Sequence, residues 1–126
     1  MRTCWRGCVM HKRIQALGRL KTGQQNSTEA AYGAELETQR ALGVVAWYRF
    51  EGMKLRLADN TFLTVDFAVM RSDGHLEMHD VKGSRAIYTD DAKVKMKVAA
   101  EMYPFAFFVA YPRRKRDGGG WDIEKV

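Results

Sequence analysis

Cysteine is nearly missing from this 126-residue sequence, and the two present, Cys4 and Cys8, both lie at its beginning. A disulfide-stapled scaffold is therefore excluded. With His11 they read C-x3-C-x2-H, but a zinc site needs four ligands and no fourth is near, so the stretch reads as a disordered tail. Met10 is an alternative start, which would make residues 1–9 an over-long extension. No apolar run approaches the length of a membrane span, and MRTCWRGCVMHKR has no apolar core of the signal-peptide kind. An intracellular protein is expected. There is no Walker A loop, no dinucleotide fingerprint and no serine in a nucleophile-elbow pattern. The three histidines form no HNH-like set, and Gly118-Gly119-Gly120 is too short a signal for a phosphate cradle. Internal repeats and interdomain linkers are absent too.

Acid is missing from residues 1–28, which hold Arg2, Arg6, Lys12, Arg13, Arg19 and Lys21. These six account for the whole net charge of +6. The rest is balanced but patterned, with a second basic cluster at Arg113-Arg114-Lys115-Arg116. A basic arm and a basic loop suit a phosphate-rich partner. What is plentiful is apolar: 46% hydrophobic residues, with six Phe, five Tyr and three Trp, argue for a folded chain. Length and pattern imply a flexible arm over 1–25, with a helical turn around Arg13–Leu20, and one domain over 26–126.

Asn26-Ser27-Thr28-Glu29 has the form of a capping box, and predicts a helix from Thr28 to Leu42 stopped by Gly43. Val44–Phe50 reads as a strand, which Glu51-Gly52 breaks or bulges. Met53–Leu57 alternates as a half-buried strand does, and Asp59-Asn60 turns the chain into a strand over Thr61–Met70. Thr89 caps a second helix whose inner stripe is predicted to be Val94, Val98 and Met102, with Ala99 beside it. Tyr103-Pro104 ends it. Phe105–Tyr111 reads as a strand buried on both faces, and Trp121–Glu124 as a final edge strand. The order is α-β-β-β-α-β with a short β after it, an α/β (α+β) fold with a mixed sheet flanked by helices.

The chemistry concentrates between Thr61 and Gly83. Asp80 and Lys82 are two apart on one strand and so share a face. Asp66 lies on the strand before the turn. If Asp73-Gly74 were a two-residue loop, Asp66 would face Val81, and the two aspartates would lie on opposite faces. A three-residue loop, Ser72-Asp73-Gly74, puts glycine at the left-handed position, pairs Arg71 with His75 and sets Asp66 opposite Asp80. Facing carboxylates repel unless a cation lies between them. We expect the three-residue loop and a metal. Glu77 and His79, on the other face of the strand, read as surface or second-layer residues, and His75 as solvated.

Here the sequence resembles the PD-(D/E)xK nuclease superfamily. Val65-Asp66 stands at its PD position and Asp80-Val81-Lys82 at its (D/E)xK position, 14 residues on. Glu29 matches the helical glutamate of the branch that includes Holliday-junction resolvases and phage endonuclease I-type enzymes. STEAAYGAELE, DF, HDVKG and TDDAKVKMKVAAEMYP are similar to small phage and prophage endonucleases. The likeness runs over residues 27–111 and departs from the pattern at Val65, where proline is usual. It implies a restriction-endonuclease-like core and Mg²⁺-dependent hydrolysis, with Mn²⁺ able to substitute, leaving 5′-phosphate and 3′-hydroxyl ends. Asp66, Asp80, the Val81 carbonyl and Glu29 would hold metal, and Lys82 would position water. Lys93, Lys97, Arg113, Arg114, Lys115 and Arg116 would contact DNA. A branched DNA substrate, a homodimer with Trp47–Phe50 as candidate interface, and the cytoplasm of a phage-infected or lysogenic host complete the expectation.

Overall fold

A computed structural model describes residues 24–126. The expected basic arm, the helical turn at 13–20 and the Cys4–Cys8–His11 triplet lie outside the described residues, apart from Gln24 and Gln25. The architecture is mixed α+β: two helices and a five-stranded sheet with parallel and antiparallel pairs. The elements are α1 (Ser27–Ala41), β1 (Val45–Phe50), β2 (Lys54–Ala58), β3 (Thr61–Thr64), β4 (Phe67–Arg71), β5 (Leu76–Val81), α2 (Asp90–Met102), β6 (Ala106–Pro112) and β7 (Trp121–Lys125). The main sheet runs β1-β4-β5-β6-β7, and β2-β3 form a separate hairpin.

The predicted capping box is present. Asn26 Oδ1 accepts from the Glu29 amide at 2.8 Å, and Glu29 Oε1 accepts from the Asn26 amide at 2.9 Å. Two of the orphan amides at the helix start are thus satisfied reciprocally. Gly43 takes φ +83° just beyond the helix, where a side chain would be strained. Asn26→Ala removes one partner of the box and is expected to lower stability by about 1 kcal/mol in urea titration. An unchanged midpoint would show that the helix start is held by packing alone.

One strand expectation needs correction. Thr61–Met70 is not continuous: β3 pairs with β2, the chain bends at Val65-Asp66, and β4 then enters the main sheet. Val65 and Ala68 both belong to the α2-side core, a spacing that an unbroken strand of period two cannot give. The half-buried strand expected at Met53–Leu57 is present as β2, and it forms the side hairpin with β3. That hairpin covers α2, where the Tyr103 hydroxyl donates to the Arg56 carbonyl at 2.6 Å and Lys95 Nζ to the Phe62 carbonyl at 3.4 Å.

The β4–β5 turn follows the three-residue expectation. Arg71 N–H donates to the His75 carbonyl at 2.8 Å, and Gly74, at φ +94°, donates to Arg71. Pairing then runs Met70–Leu76, Val69–Glu77, Ala68–Met78 and Phe67–His79. The parallel partner of β5 is β6, with Asp80 beside Val109 and Val81 beside Ala110, and β7 closes the edge antiparallel to β6.

Two cores sandwich the sheet. On the α2 side lie Val65, Ala68, Met78, Met96, Ala99, Phe107, Val109 and Tyr111; on the α1 side, Tyr32, Leu36, Phe67, Val69, Val81 and Ala110. The inner face of α2 includes the predicted Ala99 but not the stripe predicted beside it. Val94 and Met102 are 59% and 52% exposed and Val98 is half-buried, whereas Met96 and Ala99 are buried. Small Ala99 lets the helix approach the sheet closely, and flexible Met96 fills the space. The wider valine stripe has the right period but belongs to the outer side.

Candidate active site

The bend that ends the β2–β3 excursion also aims Asp66. It stands one residue before β4, at the point where the antiparallel register leads towards Asp80. Its Oδ2 accepts from the Val81 backbone amide at 2.7 Å. Asp80, near the end of β5, is only 7% exposed, and its Oδ2 lies 3.1 Å from Lys82 Nζ. The i, i+2 spacing thus gives the expected carboxylate–ammonium pair. Val81 takes part through its amide, a role that the sequence reading, which singled out its carbonyl, did not include.

Burial pushes the Asp66 carboxyl up to about 8; the Asp80 charge adds to this, the Val81 amide opposes it, and the Glu29 charge raises it further. The two carboxylates are therefore close enough to repel, and the Lys82 ammonium pairs with one of them, Asp80. Glu29 is close enough for its charge to be felt at Asp66, but one of its oxygens is committed to the capping box. Among the described residues no three His, Cys, Asp or Glu side chains are gathered as a ready metal cluster. The donor set that is present, two carboxylates in mutual repulsion, suits a hard divalent cation, which takes oxygen ligands and completes its shell with water.

The expected DNA contacts separate into two grooves on either side of Tyr111. One, of about 200 Å³, is lined by Lys93, Lys97 and Lys125 with Glu124, beside Tyr88 and Tyr111. The other, of about 410 Å³, joins Gly83 and Ser84 to Arg85, Arg113 and Arg114, with Asp117 and Asp122 among them. Lys93 lies over the Tyr88 ring, 5.6 Å from its centroid. Arg113 lies 3.5 Å from Asp122. Lys115 and Arg116 belong to a 3₁₀ turn closed by Gly118 at φ +97°; both are exposed and line neither groove, although Arg114 and Asp117 on either side of them line the larger one.

Sequence reasoning missed Arg85, Tyr88 and Tyr111. Arg85 stacks on the Tyr111 ring at 4.5 Å and is held by Glu124. The Tyr88 hydroxyl is pushed up by burial and then by the Asp80 charge; that of Tyr111 by burial and then Glu124, with a smaller contribution from Asp80. A usable signal existed: ligands gather at the carboxyl ends of parallel strands. Tyr111 lies two residues beyond Val109, the partner of Asp80.

His79, expected at the surface or in a second layer, is 4% exposed and so takes the second of these places. Its Nδ1 lies 2.5 Å from the Tyr32 hydroxyl and its Nε2 2.9 Å from Glu77 Oε1. A carboxylate only accepts, so Nε2 carries a proton, and in the neutral imidazole Tyr32 is then the donor to Nδ1. Tyr32→Phe strips Nδ1 of its donor and is expected to cost about 1–3 kcal/mol, read from the urea midpoint. No loss would mean that water replaces the hydroxyl.

No family model matches this chain, and neither a curated protein nor a solved structure does.

Proposed function

We propose that the chain is a divalent-metal-dependent endodeoxyribonuclease of the PD-(D/E)xK type, acting on branched DNA. The observation that carries this reading is the convergence of Asp66, Asp80 and Lys82 at the end of β5, with the Asp80–Lys82 contact at 3.1 Å. Asp66 and Asp80 would hold Mg²⁺, with Glu29 near enough to join through water. When bound there, the ion polarises the phosphate and lowers the pKa of coordinated water. Lys82, anchored by Asp80, orients the attacking water and offsets charge that develops on the phosphoryl oxygens. The two basic grooves would carry the strand on either side through backbone contacts that position without reading sequence. A homodimer would give paired cuts across a junction. Trp47 is the exposed aromatic of the candidate interface, since Tyr48 donates to Glu37 and Phe50 packs on Phe67.

The test is cleavage of linear, nicked and four-way-junction DNA with Mg²⁺ and with EDTA. We expect Mg²⁺-dependent cutting, strongest on the junction. One observation favours a second reading, a nucleic-acid-binding protein without activity: Glu29 is tied into its capping box. Binding without metal-dependent cleavage on every substrate would establish that alternative. No helix among the described residues is long and apolar enough to cross a membrane.

A further inference from the structure

On the face of the sheet opposite the carboxylate pair, a cavity of about 330 Å³ opens between α1 and strands β5, β6 and β7. Its volume is at the small end of the range for ligand pockets, roughly 300–1,000 Å³. The buried Tyr32–His79–Glu77 chain forms one polar side, Glu35 and Gln39 of α1, bonded to each other, a second, Phe108 and Trp121 the aromatic side, and Arg71 lies towards solvent.

The hydrogen bonding of this chain is incomplete at one atom. Tyr32 donates to His79, and His79 donates to Glu77 Oε1. Arg71 approaches that same Oε1, at 3.8 Å. Glu77 Oε2 therefore has no hydrogen-bond partner among the described residues, although the side chain is only 13% exposed. A carboxylate oxygen so enclosed seeks an N–H donor. The adjacent walls are flat aromatic surfaces, and the nearby guanidinium suits a phosphate.

We propose that this cavity binds a nucleotide through an amino-bearing base. The exocyclic amine donates to Glu77 Oε2, the ring packs against Phe108 and Trp121, and the phosphate is directed to Arg71. The base comes from a free nucleotide or from an unpaired position in a strand; the recognition chemistry is the same. The site stands whether or not the carboxylate pair cuts DNA.

Cytosine and uracil differ at the recognised position, amine against carbonyl, so dCMP and dUMP are the probes. Binding is read in EDTA, which keeps metal chemistry silent, by the shift of the Trp121 indole N–H in NMR titration. The wild-type chain is expected to prefer dCMP by at least about tenfold. In Glu77→Gln, the His79 N–H keeps the amide oxygen at the Oε1 position and brings the amide nitrogen to the Oε2 position. The variant presents donors, and the preference inverts to dUMP. Short dC and dU oligonucleotides form a parallel arm: discrimination by oligonucleotides alone assigns the site to a strand, and by mononucleotides to the free ligand. Equal affinity for the two bases, an unchanged preference in a folded Glu77→Gln chain, or no Trp121 shift in either arm would overturn the proposal. The wild-type comparison stands if Glu77→Gln does not fold, and Phe108→Leu then serves as the second variant, expected to weaken dCMP at least several-fold by removing one ring wall.

Discussion

Replacing Asp66 by asparagine is expected to stabilise the metal-free protein at alkaline pH while abolishing cleavage. The unfolded carboxyl titrates near 3.8 and the folded one near 8, so between these values the folded state holds a proton that the unfolded state has released. Stability contributed by this group is full below the lower value and is lost as pH rises through the upper one. The loss is on the order of several kcal/mol at one unit per 1.36 kcal/mol. The Asp66→Asn side chain carries no such dependence. Its amide can still accept from Val81 and can donate to Asp80. Urea midpoints in EDTA at about pH 5 and about pH 9 test this. The wild type is expected to weaken over that interval by several kcal/mol more than Asp66→Asn. Added Mg²⁺ is expected to restore wild-type stability, by about 2.7 kcal/mol at a hundredfold excess over Kd, and to leave the Asp66→Asn variant nearly unmoved. Parallel pH profiles for the two proteins, with no Mg²⁺ effect on either, would remove the carboxylate pair as a metal site.

Lys82→Ala is expected to lower single-turnover cleavage by about 10²–10³-fold, the loss typical of one charge-stabilising donor in an active site. Binding of junction DNA in Ca²⁺ should weaken by no more than one charge contact, visible as a slightly shallower salt dependence. Arginine should not restore the rate, because its planar fork cannot place a single ammonium point charge beside Asp80. Full activity in Lys82→Ala would leave the Asp80–Lys82 contact as an ordinary buried ion pair.

Much of this organisation was legible from local chemistry. The capping box at Asn26 and Glu29, the stop at Gly43 and the three-residue loop before His75 each depend on residues close in sequence, so short-range rules suffice. The loop alone fixed the register that brings Asp66 towards Asp80. The inner face of α2 was not legible in that way. Val94, Val98 and Met102 satisfy a helical period as well as Met96 and Ala99 do, and only the space left above Met78 and Val109 decides between them. The break at Val65-Asp66 was hidden because both halves are β-forming, and pairing with Lys54–Ala58 is a tertiary choice. The choice between surface and second layer for His79 stayed open for a related reason: strand alternation gives its face, but not that Tyr32 from a distant helix covers that face. Arg85 and Tyr111 needed the parallel partnership of β5 with β6, which no single segment announces.

That partnership also predicts an order of assembly for the candidate site. The carboxylates sit at the open end of a hairpin joined by three residues, a closure of low entropic cost. Tyr111 and the two grooves depend on residues 82–105 crossing back so that β6 docks in parallel, the slower kind of pairing. The acidic half of the candidate site is thus expected to form with the local hairpin, and the half that would grip phosphate with the later docking of β6. A newly made chain would acquire its repulsive charges before the basic surface around them is complete.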